Sequence, residues 1–157
     1  MTQLTYSKQD YILLARERIR RKQIYRYREI FPDLYKFQAD TVRHTKTKTA
    51  VLLCAANRIG KTYLGTYIDS IHLMGDYPAD WDGHEFEHAP TCWLLGYSGE
   101  KTRDLLQTAL FGRLEDRKFL GGLIPADLIV DYVSMTGTSG AMREVRVKHT
   151  SGGVSVC

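Results

Sequence analysis

The segment Thr49-Ala-Val-Leu-Leu-Cys-Ala55-Ala-Asn-Arg-Ile-Gly60-Lys61-Thr62 decides how this 157-residue chain is read. An uninterrupted apolar run from Thr49 to Ala55 is the pattern of a strand buried on both faces. It runs directly into Ala55–Thr62, which fits the phosphate-loop spacing G-x-x-x-x-G-K-[ST] except that Ala55 replaces the first glycine. Gly60 opens an amphipathic helix carrying Leu64, Tyr67, Ile68, Ile71 and Met74 on one stripe, and Gly75 ends it. The spacing has a chemical reason. Backbone N–H groups of such a loop and of the following helix N-terminus point at phosphate oxygens, and the helix dipole adds attraction. Gly60 permits close backbone approach, Lys61 neutralises β- and γ-oxygens, and the Thr62 hydroxyl ligates Mg²⁺. The expected ATP-binding set is Ala55, Ala56, Asn57, Arg58, Ile59, Gly60, Lys61 and Thr62. Alanine at position 55 is tolerable there if its φ is negative.

Downstream, Thr91–Gly96 reads as a second buried strand, and Ser98 caps a helix through Leu105, Leu106, Ala109 and Leu110 that stops at Gly112. Arg143–His149 and Val154–Val156, separated by Thr150-Ser-Gly-Gly, read as a hairpin. Strand–helix–strand–helix order predicts an α/β fold, a P-loop NTPase with a mostly parallel sheet flanked by helices. The chain ends inside an apparent strand at Cys157, so the domain is expected to be C-terminally incomplete. Upstream, residues 8–30 are expected to form a basic amphipathic helix, with Ile12, Ile19, Ile24, Tyr27 and Ile30 on one stripe. Arg18, Arg21, Lys22 and Arg28 lie mostly opposite and are candidate DNA contacts. The expected division is therefore a basic helical segment over 1–32 and a partial ATPase domain over 33–157.

Composition agrees with a globular chain: 43% hydrophobic, 25% charged, 22 Lys+Arg against 18 Asp+Glu. It excludes a disordered tail and a disulfide-stapled miniprotein, and no apolar stretch approaches the ~20 residues of a membrane span. The three cysteines, Cys54, Cys92 and Cys157, lie far apart, as buried reduced thiols do. Residues 1–50 hold 12 basic and 5 acidic side chains, a front end suited to a polyanion or to a solvated helix face.

Several residues carry competing readings. Gln38, about twenty residues before the loop, is a candidate adenine reader, because an amide pairs with both the N6 donor and the N7 acceptor; Tyr35 and Phe37 would supply a stacking surface. The alternative is an ordinary aromatic cluster. Arg58 is a candidate arginine finger in cis, or a solvent-facing side chain. Hydrolysis needs an Asp–Glu pair after four apolar residues. The nearest segment, Leu128-Ile-Val-Asp131, is followed by Tyr132, so Asp131 is either a metal-shell acid or a strand end. His84-Glu-Phe-Glu-His88 fits H-E-x-x-H, yet Gly83 and Pro90 bracket it too tightly for the helix that zinc chemistry requires.

Phe37-Gln38, the loop with its internal arginine and missing first glycine, Cys92-Trp-Leu-Leu-Gly-Tyr-Ser and the Thr150-Ser-Gly-Gly turn together resemble the large terminase subunit of tailed bacteriophages. That family is an ATPase motor that packages double-stranded DNA into procapsids. The resemblance implies that Lys61 and Thr62 bind phosphate and Mg²⁺, that Arg58 is the loop arginine with Lys61 beside it in catalysis, and that Gln38 contacts adenine. It implies ATP and Mg²⁺ as cofactors. Its partners would be double-stranded DNA, the portal, the small terminase subunit and further copies in a ring, in the host cytoplasm during virion assembly. By the same resemblance the Walker B acidic pair and the nuclease domain fall outside this chain, so binding of ATP without turnover is expected. The rival expectations are a basic nucleic-acid-binding module and another P-loop ATPase such as a helicase fragment.

Overall fold

The computed structural model describes residues 8–30, 34–115 and 118–157, and within the first segment all side chains but those of residues 19–24, 26 and 29. Four helical stretches and five strands follow one another along it. Helix α1 is Lys8–Ile24, α2 is Lys36–Thr45 and α3 is Lys61–Met74. The fourth stretch, α4, runs in three consecutive pieces: Gly99–Lys101, a π-type Thr102–Gln107, and Thr108–Leu110. The strands are β1 Gly112–Glu115, β2 Lys118–Gly121, β3 Ile129–Ser134, β4 Met142–Lys148 and β5 Val154–Val156.

The mostly parallel sheet expected from the sequence is not formed, and with it the P-loop NTPase fold must be set aside. Both sheets are antiparallel: β1 pairs with β2, and β3, β4 and β5 form a three-stranded sheet in that order. The runs 49–55 and 91–96 carry no regular strand, and their pairing reduces to one parallel bridge between Thr91 and Val156. The physical reason lies in coverage. An apolar run is buried on both faces only where layers lie above and below the sheet. Here Leu53, Cys92 and Leu94 pack on the core, whereas Leu52, Trp93 and Leu95 are 87, 83 and 84% exposed. No described element covers that outer side.

Other expectations hold. Helix α3 starts and stops where predicted, with Leu64, Tyr67, Ile71 and Met74 buried and Gly75 left-handed at its end (φ +67°). The Ser98 hydroxyl accepts from the Lys101 N–H at 3.3 Å as the cap of α4. The β4–β5 hairpin closes through His149 N–H to the Gly153 carbonyl at 3.0 Å, with Gly152 at φ +87°. Helix α1 stops short of residue 30. The chain tightens into a 3₁₀ turn, Arg26–Glu29, because Tyr27 and Ile30 are drawn into the core. The Tyr27 hydroxyl donates to the Asp76 carboxylate, which also receives Arg28 Nη2 at 2.5 Å. Burial, then the Asp76 hydrogen bond, push the Tyr27 phenol up, so it stays protonated and donating. Tyr27→Phe removes that donor and is expected to cost about 1 kcal/mol in urea unfolding; an unchanged midpoint would show the bond contributes nothing net.

Helix α2 and the β1–β2 hairpin were not foreseen. The α2 signal was present in Gln38, whose Oε1 accepts the Tyr35 N–H at 3.0 Å in a capping box, and in the Lys36–Asp40 pair one turn apart. Arg43 of α2 and Lys46 at its C-cap both reach Asp82 and tie the helix to the 76–90 loop.

Candidate functional site

The loop 55–62 joins the extended segment to α3, and two left-handed residues shape it: Arg58 at φ +64° and Gly60 at φ +89°. Gly60 is the N-cap of α3 and offers no side chain to the first-turn amides, so those N–H groups are not satisfied by a cap. Arg58 is the sole non-glycine residue with positive φ among the described residues, an unfavourable conformation of the kind that concentrates at functional loops. Ala55 is therefore not left-handed, and its methyl replaces the expected glycine without backbone strain. Lys61 Nζ donates to the Ala55 and Ala56 carbonyls, both at 2.6 Å, and so braces the loop from inside. The side chains of Arg58 and Thr62 are exposed.

Gln38 is brought to this loop from α2. It is 4% exposed, and a Cβ added to Gly60 would stand 2.9 Å from its Nε2. The glutamine amide thus packs against the glycine that opens α3, and a Cβ at position 60 would displace it as well as strain the backbone. Beside it, the Tyr35 and Phe37 rings stack at 6.2 Å and 9°, both exposed, as a flat aromatic surface. The sequence placed Gln38 near the loop only by its separation along the chain; the contact itself is tertiary. Gln38 Oε1 already serves the Tyr35 N–H, so its Nε2 is the arm left for a further partner.

The remaining candidates fall elsewhere. Asp131 is exposed on β3, 3.7 Å from Arg146. His84–His88 forms no helix; His84 instead meets Phe86 edge to face at 4.6 Å. Among the described residues no group of three or more His, Cys, Asp or Glu is placed to hold a metal ion. Arg18 is exposed on α1, the side chains of Arg21 and Lys22 lie outside the described residues, and Arg28 is engaged by Asp76.

One group near the site escaped the sequence reading. Asp69, two turns along α3 from Thr62, is partly buried toward the Cys92 and Cys157 thiols, and burial pushes its carboxyl up to about 6. Burial likewise pushes the thiols up, to about 11 for Cys92 and about 12 for Cys157.

The chain is similar to a terminase large subunit. That of Salmonella phage P22 is 26% identical over 121 residues, covering 66% of this chain and 24% of the phage protein. The chain thus spans about a quarter of the length of that relative. No protein-family model and no solved structure matches the chain. The similarity supports a terminase-like relationship at a distance. No helix among the described residues is long and apolar enough to cross a membrane.

Proposed function

We propose that this chain is the nucleotide-binding segment of a phage DNA-packaging large subunit, and that residues 55–62 cradle the phosphates of ATP with Mg²⁺. The observation that carries this reading is the loop itself. It holds a glycine-capped helix N-terminus, a lysine in the first turn of that helix and a buried glutamine amide against the same glycine. Uncapped first-turn amides and the positive helix end attract an anion. Lys61 turns from the Ala55 and Ala56 carbonyls to the β- and γ-phosphates, a stronger, charge-assisted partner. Thr62 supplies a hydroxyl to Mg²⁺. Arg58 lies at the rim, where charge would develop on transfer, and Gln38 meets the adenine through Nε2 with Tyr35 or Phe37 stacking. In the packaging reaction the bound nucleotide would be coupled to translocation of double-stranded DNA in the host cytoplasm. The portal, the small subunit and a ring of copies would be its partners there.

The test is Mg²⁺-dependent binding of a fluorescent ATP analogue. Lys61→Ala is expected to weaken it about 10- to 100-fold, the value of one charge-assisted contact. Equal affinity in the variant would sink the assignment. Phosphate release is expected to be absent, because Tyr132 follows Asp131 where a second carboxylate is needed.

A further inference from the structure

Cys92 and Cys157 are far apart along the chain and side by side in the fold. Cys157 and Val145 exchange both backbone hydrogen bonds: Val145 N–H reaches the Cys157 carbonyl at 2.8 Å, and Cys157 N–H reaches the Val145 carbonyl at 2.9 Å. Along the other edge of β5, Thr91 faces Val156 in a parallel bridge. Two bonds hold that bridge, Cys92 N–H to the Val156 carbonyl at 2.8 Å and Val156 N–H to the Pro90 carbonyl at 3.2 Å. One step on in this register, Cys92 stands opposite Cys157.

Opposed residues on neighbouring strands turn their side chains to the same face of the sheet. Val145, the other partner of Cys157, is buried there, and both cysteines pack on the core with it. Both thiols face one group, the Asp69 carboxyl on α3. Neighbouring strands lie about 4.8 Å apart, inside the ~4.4–6.8 Å between Cα atoms that a disulfide spans. The backbone of each cysteine is already pinned by hydrogen bonds, so joining the sulfurs takes side-chain rotation and no rearrangement of the strands. Cys92 also lines a cavity of about 600 Å³ between residues 45–51 and the His72, His84 and Phe86 rings, which gives a small molecule a path to its sulfur. Cys54, the third thiol, is exposed in the 49–55 segment and stands outside this register.

We propose that Cys92 and Cys157 form a reversible dithiol–disulfide site, separate from the loop 55–62, whose co-substrate is a low-molecular-weight disulfide of the glutathione type. A Cys92 thiolate attacks one sulfur of that disulfide and releases one glutathione thiolate, which takes up the proton Cys92 lost. The Cys157 sulfur then attacks the Cys92 sulfur of the mixed disulfide, gives its proton to the departing second glutathione, and closes the cross-link. The protein's two thiols are oxidised by two electrons, and the small disulfide is reduced to two thiols. Excess thiol reverses both steps, so the cross-link follows the thiol–disulfide poise of the surroundings. Closed, it ties Pro90–Cys92 to β5 covalently where hydrogen bonds alone now hold them.

The test equilibrates the full chain in buffers of graded reduced-to-oxidised glutathione, quenches with acid, and reads intact mass and peptide maps. The folded chain is expected to lose two hydrogen atoms, with Cys92 joined to Cys157 and Cys54 outside the link. Its equilibrium constant for closure should exceed that of the same chain in urea at least about tenfold, because folding has already brought together two groups that a long flexible loop otherwise separates. Cys92→Ser and Cys157→Ser should each abolish the loss, and dithiothreitol should reverse it. An equal closure constant in the folded and urea-unfolded chain, a glutathione adduct that persists on Cys92 or Cys157 without closing, or a link made through Cys54 would each overturn the proposal.

Discussion

Gly75→Ala is expected to lower stability by about 3 kcal/mol, a fall in Tm of about 10 °C for a chain of this size. Two effects add. Gly75 sits at φ +67°, where an L side chain carries about 1 kcal/mol of strain. A Cβ there would stand 2.3 Å from His149 Nε2 and 2.6 Å from Thr150 Oγ1, an overlap that costs about 1–3 kcal/mol to relieve. Neither neighbour is free to move. Thr150 donates its N–H to the Met74 carbonyl at 2.9 Å and its hydroxyl to the Gly75 carbonyl at 2.7 Å, so the β4–β5 turn caps the end of α3. His149 Nδ1 takes the Ser151 N–H at 3.1 Å, which fixes the ring over Gly75 with Nε2 buried and without a partner. Gly65 is the control. It lies inside the same helix with nothing within 4 Å of an added Cβ, so Gly65→Ala should stabilise by about 0.5–1 kcal/mol. Thermal unfolding of the two variants decides the matter; parallel losses, or a neutral Gly75→Ala, would refute the clash. Because α3 begins at residues 55–62, Gly75→Ala should also weaken the nucleotide binding proposed for that loop, as Gly65→Ala should not.

Asp69→Asn is expected to stabilise the protein by up to about 3 kcal/mol at pH 8 and by only about 0.5 kcal/mol at pH 4. The sign follows from burial. Desolvation raises the Asp69 carboxyl from 3.8 to about 6, so between those values the folded chain binds a proton that the unfolded chain has released. Stability therefore falls as pH rises through that window. Below it both states are protonated and no penalty remains. Above it the full shift applies, at about 1.4 kcal/mol per unit. The groups facing Asp69 are the Cys92 and Cys157 thiols, pushed up to about 11 and about 12, and these stay neutral across the range. Asparagine keeps the shape and removes the charge. Urea unfolding of both proteins from pH 4 to pH 8 tests this, and a stability difference independent of pH would rule out the buried carboxylate as its source.

The local grammar of this chain was legible where one short-range signal sufficed. Gly60 and Gly75 bracket α3, Ser98 caps α4, and the Thr150-Ser-Gly-Gly turn closes β4 on β5, each by hydrogen bonds between near neighbours. The reading failed where the local signal was atypical or the partners were distant. Helix α2 has a tyrosine N-cap instead of serine or threonine, and the widened turn of α4 carries Gln107 round to bond both the Gly140 carbonyl and the Met142 N–H at 2.8 Å. Nothing within α4 itself announces those distant partners.

The candidate site divides in the same way. By itself the sequence determined the order Ala55–Thr62, the glycine that opens α3, and the presence of a lysine, an arginine and a threonine within it, because these depend on residue type and spacing alone. Tertiary structure alone decided that Gln38 lies against Gly60, that Arg28 is taken by Asp76, and that Asp69 is buried near two thiols. It also decided the sheet. Apolar runs at 49–55 and 91–96 show that each segment favours burial, but whether they become parallel strands depends on what covers their second face. Coverage is a property of the packed assembly and is written in no single segment.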